Sequence, residues 1–320
     1  MNKKTKAWLI AAASLVLVGL IILGGVMALL GWDLKKLSTV KYETSVHEVG
    51  EEYENITVIT DAADILLLPA EGKETAVTCY EQKNVTHTVT VKDGTLIIEL
   101  VDTRKWYEHI GINLDTPRIT LSLPAGEYAA LSIQAKTADT EIPDGFRFES
   151  IDVRKSTGDI TCRADAKSIT LKTTTGDICV DGISAETLDI TATTGKVRVT
   201  DTDCTGDVAL RVTTGKAQVS SLTCKGFSST GSTGDVTLSG VVAKQALFVE
   251  RTTGDVTLAG CDAATLSFVL DTGDVTGTLL TEKVFIPRTN TGKVDVPKTK
   301  AGGVCEITTH TGNIQIRIEN

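Results

Sequence analysis

The sequence predicts an all-β fold, a parallel β-solenoid with an N-terminal β cap, preceded by one transmembrane helix. Three observations support this: a short motif that recurs at a nearly fixed interval, apolar residues that alternate in phase with it, and a long uncharged segment near the N-terminus. The motif is Thr, then Gly or Ala, then Asp, Lys or Asn, and successive copies lie 18 to 20 residues apart. Such a period is typical of solenoids, in which each repeat buries its apolar face only against its neighbours. The central residues are Ala138, Gly158, Gly176, Gly195, Gly215, Gly234, Gly254, Gly273, Gly292 and Gly312.

The residues around each central glycine describe one turn of the solenoid, here called a rung. Ile169 and Leu171 precede Gly176 by seven and five residues, and Ile178 and Val180 follow it by two and four. Alternation at a period of two describes a strand with one face inward. Apolar or small residues seven and nine positions after the glycine add a third short face, which predicts a triangular cross-section. About ten rungs spaced about 4.8 Å apart make a rod of roughly 45–50 Å, and we expect right-handed connections.

The recurring Thr-Gly-Asp motif is interpreted as turn chemistry. Glycine suits a corner with positive φ, and Asp or Asn side chains bond nearby turn amides. Stacked carboxylates also suggest bridging calcium, but Lys196, Lys216 and Lys293 interrupt the column, and one carboxylate per rung supplies few oxygens. We therefore predict no metal site and keep a calcium ladder as the weaker alternative. That ladder would use Asp139, Asp159, Asp177, Asp235, Asp255 and Asp274.

The segment Ala7–Leu30 contains 24 residues without a charge. As a helix it would span roughly 36 Å, enough for the ~30 Å hydrocarbon layer of a membrane. Three lysines and no acidic residue precede it, which predicts a single-pass cell-membrane protein with a cytoplasmic N-terminus and an extracellular C-terminal domain. A cleaved secretory signal is the alternative. The predicted boundaries are 1–6 for a cytoplasmic tail, 7–31 for the transmembrane helix, 32–50 for a linker, 51–130 for the N-terminal β cap and first solenoid strands, and 131–320 for the solenoid repeats.

The charge of the chain limits its partners. The formal net charge is −9, and the three lysines before residue 31 contribute +3, so the remainder carries −12. An acidic rod repels polyanions, and we predict no nucleic-acid partner. The expected partners are an unknown cell-surface protein or glycan, together with the membrane through Ala7–Leu30.

Nothing in the sequence predicts catalysis. Rungs of uniform length insert no long loop that could wall a cleft. His47, His87, His109 and His310 share no phase with one another, and no nucleophile or phosphate-loop motif occurs. We predict that the protein is not an enzyme, with no catalytic residue, no cofactor-binding residue and no cofactor.

The seven cysteines divide by phase. Cys179 takes an outward position and is the predicted exposed thiol. Cys204 and Cys224 share one phase on adjacent rungs, so a disulfide stays an alternative. No Cys-x-x-Cys and no Cys/His pair at metal spacing occurs, so no zinc site is expected. The predicted buried free thiols, which pack as small hydrophobes, are Cys162, Cys204, Cys224, Cys261 and Cys305.

The two ends of the rod differ in sequence. The segment Ile56–Leu67 carries the rung phase once, and the alternating segments between Thr75 and Leu123 predict a cap over the first rung. We expect Trp106, in the irregular segment Asp102–Asn113, to cover that rung. The last rung ends two residues after Ile318, which predicts an open C-terminal edge, guarded by Gln315, Arg317 and Glu319, where the chain could self-associate.

Three features resemble one known family. They are the opening Ile56-Thr-Val-Ile-Thr-Asp-Ala-Ala-Asp-Ile-Leu-Leu-Leu-Pro69, the strand Ile119-Thr-Leu-Ser-Leu-Pro124, and the Thr-Thr-Gly-Asp rungs. The combination resembles a bacterial domain-of-unknown-function family described as putative adhesins. The resemblance implies a β-solenoid that faces the outside of the cell, sometimes linked with envelope-stress systems. It supplies no catalytic or ligand residues.

The predicted function is therefore a non-catalytic, membrane-anchored extracellular β-solenoid that acts as an adhesin-like or scaffolding module. One alternative is a cell-envelope stress sensor or accessory regulator that contacts a partner membrane protein. The other is a carbohydrate-active β-helix enzyme.

Overall fold

A computed structural model describes residues 2–29, 31–33, 40–106 and 115–319. It contains one helix, α1 (Lys3–Leu29), and a series of strands. The strands are β1 (Tyr42–Val49), β2 (Asn55–Thr60), β3 (Asp64–Pro69), β4 (Thr75–Gln82), β5 (Val85–Lys92), β6 (Thr95–Asp102), β7 (Arg118–Leu123), β8 (Glu127–Thr137), β9 (Thr140–Ile142), β10 (Arg147–Thr157), β11 (Ile160–Cys162), β12 (Asp165–Thr175), β13 (Ile178–Asp181), β14 (Ser184–Thr194), β15 (Val197–Cys204), β16 (Asp207–Thr214), β17 (Ala217–Thr233), β18 (Val236–Thr253), β19 (Val256–Thr272), β20 (Val275–Leu279), β21 (Lys283–Thr291), β22 (Val294–Asp295), β23 (Gly303–Thr311) and β24 (Ile314–Ile318).

The strands wind into a parallel β-solenoid of about nine turns, which confirms the predicted fold class. Like positions of successive rungs stack in register: Ile151 pairs with Leu131 on one side and with Ile169 on the other. Ile169 in turn pairs with Leu188. Because equivalent residues face the same interior, their side chains form continuous apolar columns, and those columns are buried along the rod.

The helix α1 includes a segment, Lys4–Leu29, that is long and apolar enough to cross a membrane. Its central window is not buried against the rest of the protein. A membrane anchor and a secretory signal both meet this description.

The N-terminal end combines parallel rungs with antiparallel strands. The rung formed by β2 and β3 is inserted between neighbours, since β2 pairs with both β6 and β8, and β3 with both β7 and β9. Antiparallel pairing then adds β4 and β1 to β7 on one face, and β5 to β6 on the other. We call β1, β4, β5, β6 and β7 the N-terminal cap. Strand β1 lies within the segment 32–50, where we expect a linker.

Trp106 does not cover the first rung. Its side chain is 80% exposed, so that prediction is wrong. The rest of the irregular segment, residues 107–114 with His109, lies outside the described residues.

The far end of the rod, opposite the cap, does not follow chain order. Leu266 of β19 and Phe285 of β21 both pair with Cys305 of β23. Val275 and Val294 likewise both pair with Ile314 of β24. The last rung of the chain is thus inserted between its two predecessors.

The predicted open C-terminal edge, guarded by Gln315, Arg317 and Glu319, is therefore wrong. Among the described residues the outermost strands are β21 and β22, and β24 pairs with β22 at Ile314 and Gln315 and with β20 along its whole length. Pro287 of β21 gives a physical reason, because proline has no N–H to donate and is best tolerated in an edge strand.

A further inward row lies three residues before each corner residue. This row could not be predicted from the sequence because its members have no side-chain property in common. Lys155 is buried there, and its Nζ donates to the carbonyl oxygens of Ala138 at 2.6 Å and Asp159 at 2.7 Å. Burial lowers the pKa of Lys155 to about 8, although nearby carboxylates oppose that shift. The row comprises Ala135, Lys155, Thr173, Ala192, Val212, Gly231, Arg251, Leu270, Thr309 and Thr289.

Arg251 is the second interior cation and is 1% exposed. Its Nη1 donates to the Glu250 carbonyl oxygen at 2.7 Å, and its Nη2 donates to Ser229 Oγ at 2.9 Å. A Cβ at Gly231 would lie 3.2 Å from Nη1, and it would lie only 1.8 Å from the carbonyl oxygen of Val212 on the preceding rung, which is the stronger reason for glycine there. Burial lowers the pKa of Arg251 to about 10.

Candidate interaction surfaces

The corner glycines are required by both conformation and space. Gly176 has φ +144°, and a Cβ on it would lie 2.1 Å from the carbonyl oxygen of Gly158 on the preceding rung. L side chains rarely adopt such a φ, and no atom pair approaches so closely without displacement. Adjacent rungs therefore meet backbone to backbone at this corner, and the threonine before the glycine and the aspartate after it line the surface.

Each corner aspartate bonds to the next rung. Asp139 Oδ1 accepts a hydrogen bond from the backbone N–H of Asp159 at 2.8 Å, and Asp159 Oδ1 accepts one from Asp177 at 2.7 Å. The same contact joins Asp177 to Lys196 at 2.7 Å. The requirement is for an acceptor that reaches one rung along the rod, which explains why Asp or Asn recurs there.

The other corner carboxylates repeat this contact. Asp235, Asp255 and Asp274 accept the next backbone N–H at 3.3, 2.8 and 2.6 Å. Lys216 Nζ also lies 3.1 Å from Asp235 Oδ2. The hydrogen bond from Lys216 is the main reason that the pKa of Asp235 is lowered, and the bond from the Asp255 backbone N–H adds to it.

The structure therefore places the six calcium-ladder candidates in two runs of three on successive rungs. In each of them Oδ1 accepts from a backbone amide, and the second oxygen is also engaged at Asp235, by Lys216 Nζ, and at Asp274, by the Asn313 side-chain amide. The prediction of no metal at this corner stays a prediction.

The far end forms an exposed basic surface. We define it by β21, β22 and the connection 296–302. Between residues 282 and 300 the sequence has five basic residues and two acidic ones, although the chain as a whole is acidic. Lys283 is buried and paired with Asp262 at 2.6 Å, whereas Lys293, Lys298 and Lys300 are exposed.

Apolar side chains lie among these lysines. Val294 is 45% exposed and Ile286 is 38% exposed. The hydroxyl of Thr299 donates to the carbonyl oxygen of Lys283, which holds the connection against β21. The outer side of β21 carries no strand in the described part of the chain, so this end combines a strand edge with positive charge.

The opposite end of the rod is acidic. An open cleft of about 700 Å³ lies at the N-terminal cap, and Glu51, Glu52, Glu54, Glu74 and Asp93 line it together with one lysine. The rod thus carries opposite charges at its two ends, a polarity that the net charge does not reveal.

A smaller groove of about 320 Å³ follows the flank of the first rungs. Tyr128 and Phe148, whose rings stack with centroids 5.5 Å apart, lie at its floor. Lys167 and Glu149 form an ion pair at 2.5 Å on its rim. Arg147 and Asp165 also pair, at 3.5 Å, and Glu127 and Glu186 add two further carboxylates to the lining, so the groove is mildly acidic.

All seven cysteines are free thiols. The five predicted as buried are buried, as is Cys79, and Cys179 is half-buried, so it is the most accessible of the seven. Burial raises the pKa of Cys162 to about 11 and that of Cys224 to about 12. These thiols therefore stay protonated at neutral pH and serve as packing groups.

The fold and its surfaces define a class of protein: a rod of stacked parallel strands with shallow, open surfaces along its length and an apolar helix in front. The chain belongs to the family described as Toastrack DUF4097, whose sequence model matches residues 53–220 and 204–320. This confirms the family resemblance found in the sequence.

The chain is similar to solved structures at low sequence identity. A protein from Parabacteroides distasonis described as a putative lipid binding protein is 13% identical, with a TM-score of 0.50, over 86% of this chain and 97% of that one. A putative adhesin from Bacteroides fragilis is 15% identical, with a TM-score of 0.42, over 87% and 97% of the two chains. No curated protein matches the chain.

Proposed function

We propose that the protein is a membrane-anchored, extracellular, adhesin-like rod whose far end binds an acidic polypeptide of another surface protein. The family and the solenoid support an adhesin-like protein, and α1 supports attachment to a membrane. The finer proposal rests on the far end, where β21 has an outer edge that pairs with no strand among the described residues, beside the exposed Lys293, Lys298 and Lys300.

The chemistry of this end favours an extended acidic chain. A free strand edge offers backbone hydrogen bonds to an added strand, and ammonium groups beside it attract carboxylates. The exposed Ile286 and Val294 provide apolar contacts next to those charges. Pro287 removes one backbone donor, which limits how far a partner strand can extend along β21.

A charge-reversal pair tests the proposal. Lys298→Glu with Lys300→Glu changes the far end, while Lys225→Glu with Lys244→Glu makes the same change at exposed sites along the rod. The full chain in detergent micelles is immobilised, and binding of poly-L-glutamate is measured at low and high salt. We expect the far-end variant to lose most of the binding, the control to keep it, and salt to weaken it.

Dextran sulfate, measured in parallel, tests the alternative that the partner is an anionic polysaccharide. Equal binding of polysaccharide and polypeptide would show that charge alone drives binding and would contradict the strand-edge part of the proposal. Unchanged binding in the far-end variant would contradict the whole assignment.

A further inference from the structure

The N-terminal cap contains a buried cluster of Cys79, Glu81 and His87. One ligand atom from each, a thiol sulfur, a carboxylate oxygen and an imidazole nitrogen, lies within 4.8 Å of the other two, and all three residues are buried. We propose that these residues form a zinc(II)-binding site that fastens together the two faces of the cap.

The cluster lies where those two faces separate. Strands β4 and β5 share only the pair Gln82 and Val85 before β4 joins β1 and β7, while β5 joins β6. Cys79 and Glu81 alternate inward from β4, and His87 points inward from β5. A metal bound by all three would link the diverging strands at the closed end of the rod.

The surrounding hydrogen bonds orient the proposed ligands. His87 Nδ1 lies 2.8 Å from Glu81 Oε2, and the other ring nitrogen, Nε2, lies 2.9 Å from Thr60 Oγ1. Glu81 also accepts from the backbone N–H of His87 at 2.8 Å and from Ser45 Oγ at 3.1 Å. Metal-binding histidines typically bond through their second nitrogen, and their partner carboxylates are held by further donors.

The distances require little movement. In a tetrahedral zinc site with bonds of about 2.0–2.3 Å, neighbouring ligand atoms lie roughly 3.3–3.8 Å apart. The Glu81 oxygen and His87 Nδ1, now 2.8 Å apart, would therefore separate by about half an ångström, and atoms up to 4.8 Å apart would approach by at most about 1 Å. Solvent would supply the fourth ligand, as at sites with three protein ligands.

The donor set selects the metal. Thiolate and imidazole suit zinc, whereas calcium and magnesium prefer oxygen ligands alone. Without metal, burial and then the charge of Glu81 raise the pKa of the Cys79 thiol to about 12. Zinc replaces the thiol proton, which leaves to solvent, and the neutral imidazole moves its proton to Nε2 and donates to Thr60.

The sequence does not reveal this cluster through the usual zinc motifs, which pair cysteines and histidines at a short fixed spacing. The three residues form Cys79-x-Glu81-x5-His87, and a carboxylate on a hairpin gives no distinct signal. Their convergence depends on the point at which β4 and β5 diverge.

Cobalt(II) titration of the full chain in detergent, after removal of metal with a chelator, tests the proposal. We expect one equivalent to give a cobalt–thiolate charge-transfer band that one equivalent of zinc abolishes. Thr60→Val should weaken zinc binding roughly 10–100-fold, and Cys79→Ser and His87→Gln should weaken it more. Cys162→Ser, which removes another buried thiol, should change nothing.

A second measurement covers variants that fail to fold. Zinc should slow alkylation of Cys79 in the otherwise unaltered chain, resolved by peptide mass spectrometry, while the rate at Cys179 stays constant. Absence of a cobalt band in the unaltered chain, persistence of the band in Cys79→Ser, or equal alkylation with and without zinc would overturn the proposal.

Discussion

Replacing Lys155 with threonine tests how the interior of the rod is built. Thr173, Thr309 and Thr289 occupy the same inward row, and each donates its hydroxyl to a corner carbonyl oxygen on an adjacent rung, at 3.3, 3.1 and 3.0 Å. Lys155 makes the equivalent bond to the Ala138 carbonyl at 2.6 Å. Lys155→Thr therefore keeps a donor at this position and removes the buried charge.

The pKa of Lys155 gives the magnitude. Its value falls from 10.5 to about 8 on folding, with burial as the main cause, and a tenfold change in proton affinity is worth about 1.4 kcal/mol. The charged lysine thus costs about 3 kcal/mol at neutral pH. Threonine leaves part of the lysine volume empty, at a cost of about 1–2 kcal/mol. We expect Lys155→Thr to raise the free energy of unfolding by about 1–2 kcal/mol at pH 7.

The gain should depend on pH. Between pH 8 and 10.5 the unfolded chain binds more protons at this residue than the folded chain, so the stability of the unaltered protein rises with pH. The penalty is fully present below pH 8 and is lost above pH 10.5. At high pH the variant should therefore lose its advantage and become slightly less stable than the unaltered protein.

Thermal unfolding of the full chain in detergent, followed by circular dichroism of the β-sheet at pH 7 and pH 10.5, measures this difference. Lys225→Thr is the matched control, because Lys225 is exposed, and its effect should be small at both pH values. A variant that is less stable at pH 7, or that shows the same change in melting temperature at both pH values, would refute the reasoning.

Three further predictions concern the corner and the thiols. Gly195→Ala should destabilise the rod by about 3 kcal/mol or more, because its Cβ would lie 2.0 Å from a carbonyl oxygen of the preceding rung. Gly182→Ala, at a residue with φ +65° but open space around it, should cost only about 1 kcal/mol in the same melting assay. Equal losses of stability in the two variants would contradict the argument from close approach. Asp159→Ala should cost about 1 kcal/mol by leaving an amide of the next rung without its acceptor, whereas Asp159→Asn should be nearly neutral; the idea fails if both variants melt alike. Iodoacetamide at pH 8 should modify Cys179 before Cys162, whose pKa burial raises to about 11, and peptide mass spectrometry that finds equal rates would show that the interior opens readily.

The period, the two main inward rows and the family could be predicted from the sequence because each depends on chemistry that repeats. Ile169 and Leu171 have apolar counterparts on almost every rung, so stacking makes their burial unavoidable. The row that contains Lys155 and Arg251 could not be predicted in this way. Its members range from glycine to arginine, and each is accommodated by its particular neighbours rather than by a shared pattern.

The order of the last rungs escaped prediction for a different reason. A parallel rung presents the same apolar residues whether it follows its predecessor in sequence or is inserted between two others. The apolar pattern that defines a rung therefore carries no information about which rung it contacts. Only residues that act on the backbone of a neighbouring rung distinguish the two arrangements.

The corner column contains such residues. The Lys293 side chain offers no acceptor to the backbone N–H of a following rung. Its own backbone N–H instead donates to Asn313 Oδ1, at 3.0 Å. The Asn313 side chain accepts from the Lys293 backbone N–H, and the Asn313 backbone N–H donates to Asp274 Oδ1 at 2.6 Å. Asn313 therefore links the rungs on either side of it. A lysine at the corner does not by itself mark an end, because Lys216 lies within the rod and pairs with Asp235 on the next rung. Lys293 occurs together with Pro287, which lacks a backbone donor, and a rung deficient in both respects is stable only where nothing follows it.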